Sequence, residues 1–149
     1  MGLFDAIDVA GSGLTAERLR MDVTAENLAN AQTTRAAGGG AYHRKQVVLQ
    51  QAGGPAFSNV LSGALGGVRA VDAARGVEVG AIVEDASATR RVYDPGHPDA
   101  DPQGYVEMPN VNPVTEMVDL IGASRSYEAN VTAMQSAKQM FTKTLELLR

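Results

Sequence analysis

Apolar residues recur at every seventh position near both ends of this chain. In the last third they fall at Leu120, Tyr127, Met134, Phe141 and Leu148, with an interleaved row at Met117, Ser124, Val131, Lys138 and Leu145. Two such rows, held over about four to five heptads, predict one long helix with a single apolar stripe, the a/d pattern of a coiled coil. No proline follows Pro113, and Gly122 is the only later glycine. Asn112 suits an N-cap and Pro113 the first helical position. A helix from Pro113 to Leu148 would be about 54 Å long. A chain of 149 residues has no globule large enough to cover that seam, so a partner helix is required.

Leu3 to Asn30 predicts a second amphipathic helix. Ile7, Leu14, Met21 and Leu28 keep the seven-residue spacing, whereas Leu3 and Ala10 begin a second row that weakens to Glu17 and Thr24. Gly11, Ser12 and Gly13 lie in its interior, where each glycine costs about 1 kcal/mol relative to alanine. Two readings stay open: a local kink or break, or a place where another backbone comes close.

Between these ends the helical period is lost. Ala31 to Ala41, with Gly38 to Gly40, reads as a flexible connection. Tyr42 to Gln51, Gly76 to Asp85, Thr89 to Tyr93 and Gly104 to Met108 read as short strands, and Ala52 to Arg75 as a mobile loop anchored at Leu61 and Leu65. Asp94 to Pro102 holds Pro95, Pro98 and Pro102 and must be a loop. The expected fold is therefore mainly α with a small β-rich middle, in which the terminal helices pair as a coiled coil. Its expected segments are 1–34, 35–111 and 112–149, joined in one structural domain.

Composition narrows the function. Aromatics make up 5% of the chain and tryptophan is absent, too little for a dense core of its own. The net charge of -4 offers no basic footprint for nucleic acid or anionic lipid. Cysteine is absent, which removes disulfide and thiol chemistry. Asp5 and Asp8 interrupt the first apolar stretch, and no basic residue precedes it, so it is not expected to be a Sec signal peptide. His43 and His97 lie on different segments without metal-ligand spacing. Asp99, Ala100 and Asp101 begin like a calcium loop, but Gln103 and Asn110 stand at ligand positions and Pro102 interrupts it, so a stiffened turn is expected. Gly38 to Gly40 lacks the lysine of a phosphate loop, and neither Ser12 nor Ser58 has a nucleophile frame. No enzyme, cofactor, metal or small-molecule ligand is expected.

Four runs carry a resemblance. They are Asn27 to Thr33, containing Ala29, Asn30 and Thr33 as Ala-Asn-x-x-Thr; Tyr42 to Val48; Val92 to Pro98 with Gly104 to Val111; and Glu116 to Val118 with Ser124 to Asn130. In this order they resemble the axial proteins of the bacterial flagellum, most closely the short proximal-rod type. The chain departs from that pattern where Arg35 to Ala41 separate the first motif from Tyr42, and in the glycine-rich length of residues 52–75.

The resemblance implies a structural subunit of the basal-body rod, exported unfolded through the flagellar type III apparatus without a cleaved Sec signal. It implies contacts with other copies and other proximal-rod proteins, with the basal adaptor and the MS ring, and with the distal rod. Asn30 and Thr33 are then expected to form a corner where the first helix ends, by the αL tolerance of asparagine and a threonine bond to local backbone. Arg125 and Asn130 are expected to set register between packed helices. The other reading is a helical adaptor or secretion-apparatus subunit that docks through its C-terminal helix.

Overall fold

The structure is a computed structural model and describes residues 3–36, 38–53 and 75–147. Among these, the elements in chain order are α1 (Leu3–Ala29), β1 (Lys45–Gln51), β2 (Val77–Glu84), β3 (Arg90–Tyr93), β4 (Tyr105–Met108) and α2 (Pro113–Leu147). The chain is thus mainly α with a small strand region between two long helices. Leu61, Leu65 and most of the loop expected between Ala52 and Arg75 lie outside the described residues.

Local chemistry accounts for the ends of the helices. At the start of α2, the Val114 N–H donates to Asn112 Oδ1 at 3.0 Å, and the Glu116 N–H reaches the Asn112 carbonyl at 3.0 Å. Pro113 follows the cap, where its missing N–H costs nothing. Glu116 stands in the first turn, where the helix dipole favours negative charge. α1 runs unbroken through Gly11 to Gly13, so the helix does not break there. It ends with the Asn30 side-chain amide donating to the Glu26 carbonyl at 2.9 Å, while Thr33 Oγ1 donates to Asn30 Oδ1 at 3.1 Å. The chain turns here without a left-handed asparagine: no non-glycine residue described has a positive φ. The Asn30 side chain turns back onto the last helical turn instead.

The residues group into two compact units. The first takes residues 1–17, 49–80 and 125–149, and the second takes 18–48 and 81–124. In the first unit α1 and α2 run antiparallel: a Cβ at Gly11 would lie 3.8 Å from Met134 Cε, and one at Gly13 would lie 2.9 Å from Asn130 Nδ2. What comes close at these glycines is a pair of side chains from the same chain, not the other backbone that was expected. Ser12 Oγ donates to the Val9 carbonyl at 2.8 Å and accepts the Val77 N–H at 3.0 Å, tying α1 to the start of β2. Ala16 and Ala137 are buried here.

In the second unit β3 and β4 form an antiparallel pair with Arg90 opposite Met108, Arg91 opposite Glu107, Val92 opposite Val106 and Tyr93 opposite Tyr105. Val106 is 2% exposed and anchors the pair. Tyr93 and Tyr105 meet edge to face at 5.3 Å, and the Arg91 guanidinium lies over the Tyr105 ring at 5.1 Å. Gly39 and Gly40, at φ 82° and 83°, close a turn in which the Ala36 N–H donates to the Gly40 carbonyl at 2.8 Å. The connection expected to be flexible is thus a hydrogen-bonded turn.

Gly104 is the most constrained glycine of the pair. Its φ is +79°, and a Cβ would sit 2.8 Å from Tyr93 Cε2 and 3.4 Å from Pro95 Cβ. Gly104→Ala is expected to destabilise the protein by about 1–3 kcal/mol. A lower urea midpoint at unchanged m-value would report it. Gly96→Ala, whose Cβ would meet only Asp94 Oδ1 at 3.5 Å, is the control and should shift little.

Candidate functional site

The two largest fully buried side chains described are polar: Glu116 and Asn27, each 1% exposed. They touch. Asn27 Nδ2 donates to Glu116 Oε2 at 3.0 Å and to the Lys45 carbonyl at 2.8 Å. Asn27 Oδ1 accepts the Tyr42 hydroxyl at 2.9 Å and the Lys45 N–H at 2.9 Å. Asn27 thereby uses both amide hydrogens and accepts twice on its oxygen, which is how a buried amide avoids a desolvation cost.

Arg44 completes the cluster. Its Nε donates to Glu116 Oε1 at 2.6 Å, and one terminal nitrogen reaches Asp119 Oδ2 at 3.3 Å. The Arg44 N–H donates to Asn110 Oδ1 at 2.8 Å, and Asn110 Nδ2 in turn donates to Ser87 Oγ at 2.8 Å and to the Asp85 carbonyl at 3.2 Å. The result is one continuous polar latch. It joins the end of α1, the segment leading into β1, the β2–β3 connection and the start of α2, all within the second unit. Tyr42 is 8% exposed. Burial, then the charge of Glu26, pushes its hydroxyl pKa above the ordinary value and keeps it a donor. Lys45 caps the outside, its ammonium 2.6 Å from Glu26 and over the Tyr42 ring at 5.8 Å.

A second polar cluster sits where the corner meets the proline loop. Thr34 Oγ1 donates to Asp99 Oδ2 at 2.8 Å, Arg35 pairs with Asp99 Oδ1, and Arg91 pairs with Asp101 at 2.7 Å. The carboxylates that open the calcium-like run therefore already face protein donors. Among the described residues no group of three or more His, Cys, Asp or Glu side chains is placed to hold a metal ion. An open cleft of about 490 Å³ lies beside them, lined by Thr34, Arg35, Gly40, Pro98, Asp99 and Asp101 among others.

The expected packing residues are distributed as follows. Ile7, Leu14, Met21, Leu28, Leu120, Tyr127, Val131, Met134 and Phe141 are half-buried. Met117 and Leu145 are 45% and 51% exposed, and Leu148 lies outside the described residues. Ala29 and Arg125 are exposed, while Asn30, Thr33 and Asn130 are half-buried. The fully buried helix positions are instead Ala16, Val23, Thr24, Asn27, Glu116, Ala123 and Ala137. On α2 Glu116, Ala123 and Ala137 fall in one row at seven-residue spacing, with the half-buried Asn130 at the place between the two alanines. Counting apolar residues missed that row because its members are small or polar. The available signal was the spacing itself, together with Asn27 and Glu116 standing inside two of the quoted runs.

Two measurements follow from this chemistry. Arg44→Met leaves the Glu116 carboxylate buried with only Asn27 beside it, whereas Glu116→Gln leaves a half-exposed guanidinium that keeps Asp119. Breaking a buried ion pair costs about 3–5 kcal/mol, and Arg44→Met is expected near the top of that range with Glu116→Gln below it. Chemical denaturation of the two variants checks the order. The second concerns acid. The Thr34 hydroxyl, and then the Arg35 charge, hold the Asp99 pKa below its ordinary value despite an opposing desolvation. A depressed folded pKa gives stability that is complete above the ordinary carboxylate value of about 4 and is lost as pH falls through the folded value. Thermal unfolding of Asp99→Asn should therefore fall short of the parent above about pH 5 and converge with it as pH falls through the folded value.

Comparison with known proteins agrees along the whole chain. Residues 7–36 match the family described as flagella basal body rod protein, and residues 103–147 match the flagellar basal body rod FlgEFG protein C-terminal family. The chain is 47% identical to the flagellar basal-body rod protein FlgC of Bacillus subtilis (strain 168), over 99% of both sequences. It is 44% identical to FlgC of Borreliella burgdorferi, over 100% of this chain and 99% of the relative. Against FlgC of Escherichia coli O157:H7 it is 43% identical over 99% and 98%.

Proposed function

This chain belongs to the FlgC family of flagellar basal-body rod proteins, and we propose that its work there is mechanical. It is a structural subunit of the rod at the flagellar basal body and assembles with other rod components. The observation that carries the reading is the end-to-end likeness to FlgC proteins, 47% identical over 99% of both sequences. The exposed apolar side chains on α2 support it physically. Val114, Met117, Val118 and Ile121 are each 45% or more exposed on a helix whose buried residues are Glu116, Ala123 and Ala137. A subunit that keeps its larger apolar groups outside is suited to being covered by others.

In this reading the terminal helices pair as a coiled coil, and repeated copies pack into a tube that transmits torque. Each contact is individually weak, and assembly multiplies it. Ile7, Leu14, Met21, Leu28, Leu120, Tyr127, Met134 and Phe141 flank the paired faces, and Met117, Leu145 and Arg125 meet neighbours. The polar latch gives each subunit a fixed shape through which torque passes. The neighbours are other proximal-rod proteins, the basal adaptor and MS ring on one side and the distal rod on the other. The subunit reaches them through the type III export apparatus.

Deleting the coding sequence and imaging hook–basal bodies tests the reading, with the full-length chain restored as control. Membrane rings without rods or hooks, and non-motile cells, are the expected result. Normal basal bodies and normal swimming would refute it and favour a helical adaptor.

A further inference from the structure

The faces of the two helices that point away from each other carry complementary patterns. On α2, Val114, Val118 and Ile121 are 65%, 63% and 56% exposed. The same row continues through Arg125, Glu128 and Thr132, all exposed. At 3.6 residues per turn these positions share one face, opposite Glu116 and Ala123. On α1 the exposed row is Thr15, Arg18, Asp22, Ala25 and Ala29, opposite Ala16, Val23 and Asn27. One row is large and apolar and then charged; the other is charged and then small. Arg18, Asp22, Arg125 and Glu128 make no ion pair among the described residues, although Arg18 and Asp22 stand one turn apart.

Only one alignment of these rows satisfies both their charges and their sizes. Set antiparallel with Asp22 opposite Arg125, the helices bring Arg18 opposite Glu128, Ala25 opposite Ile121 and Ala29 opposite Val118. Set parallel through the same Asp22–Arg125 pair, they bring Arg18 onto Ile121 and Ala25 onto Glu128, which buries one charge against an apolar group and leaves the other unmatched. The chain's own α1 is not available for this contact, because its inner face already meets α2 at Gly13 and Asn130 and at Asn27 and Glu116.

We propose that the outer face of α2 receives the outer face of α1 from a second copy of this chain, antiparallel and in that register. The contact rests on the rod reading for the setting in which copies meet, and deepens it by naming which faces join. It is heterologous: the second copy's own α2 face stays open for a third, so the contact propagates instead of closing a dimer. Alanine at positions 25 and 29 lets the helices approach closely enough for Ile121 and Val118 to be covered. The flanking ion pairs fix the direction and reject a like-charged alignment.

The absence of native cysteine gives a direct test. Chains carrying Ala25→Cys and Ile121→Cys are co-expressed, basal bodies are purified, and the samples are oxidised. Disulfide-linked dimers are expected when both chains are present and not with either alone. A ladder of higher multiples is expected when one chain carries both substitutions. Independently, Asp22→Arg and Arg125→Asp should each reduce swimming, and the two combined in one chain should restore it. Basal bodies that contain both cysteine variants but yield no dimer, or that link Ile121→Cys to a different protein, would overturn the proposed contact while leaving the rod reading standing. Absence of the parent chain from purified basal bodies would overturn both.

Discussion

A carboxylate with 1% of its surface exposed is tolerable only if every oxygen is met, and Glu116 sets that condition for the second unit. Arg44 meets one oxygen and Asn27 the other. Asn27 can turn toward Glu116 only because Tyr42 and the Lys45 backbone satisfy its remaining atoms, and Arg44 is held in place by Asn110. The constraint therefore spreads from one side chain across four chain segments, counting its own. Hydrogen bonds in such a network polarise one another, so their combined worth exceeds that of isolated pairs. A missing member leaves a buried polar group unmatched. This makes the end of α1, the Tyr42–Lys45 segment and the start of α2 a single cooperative element.

The helices divide their labour in the reverse of a globular protein. Their buried positions are Ala16, Val23, Ala123 and Ala137 together with polar residues, while Val114, Val118 and Ile121 face outward. Alanine burial contributes little hydrophobic free energy, because stabilisation scales with the apolar area removed from water at about 25 cal/mol per Å². Small side chains do allow close approach, and Gly13 carries it furthest, lying against the Asn130 amide. Helical stability in water comes mainly from covering an apolar face. With the larger apolar face outside, the proposed packing against other subunits would supply further stabilisation.

The outline of the fold could be read from the chain, and the details that matter most could not. Both helices and all four described strands lie within a few residues of the bounds expected from periodicity and turn chemistry, and the Asn112 cap formed as its residue type implies. The buried row of α2 escaped because periodicity was sought among large apolar residues, whereas the row consists of Glu116, Ala123 and Ala137, with the half-buried Asn130 in line with them. Arg44 and Glu116 are 72 residues apart in the chain, and no local rule pairs residues at such a distance. Asn30 shows the limit of propensity: its type permits a left-handed residue, but its amide found the Glu26 carbonyl and the backbone had no need to invert.

The latch is tested most directly by hydrogen exchange on the full-length chain. Arg44 precedes β1 and Lys45 is its first residue, yet their N–H groups donate to Asn110 Oδ1 at 2.8 Å and Asn27 Oδ1 at 2.9 Å. Only a formed side-chain network protects amides there. Slow exchange at Arg44 and Lys45, matched to that of the Glu116 amide, is the expected result and would show the latch opening as one unit. Exchange at both positions as fast as in an unstructured peptide would mean that Glu116 is not held as described, and the central constraint would be wrong.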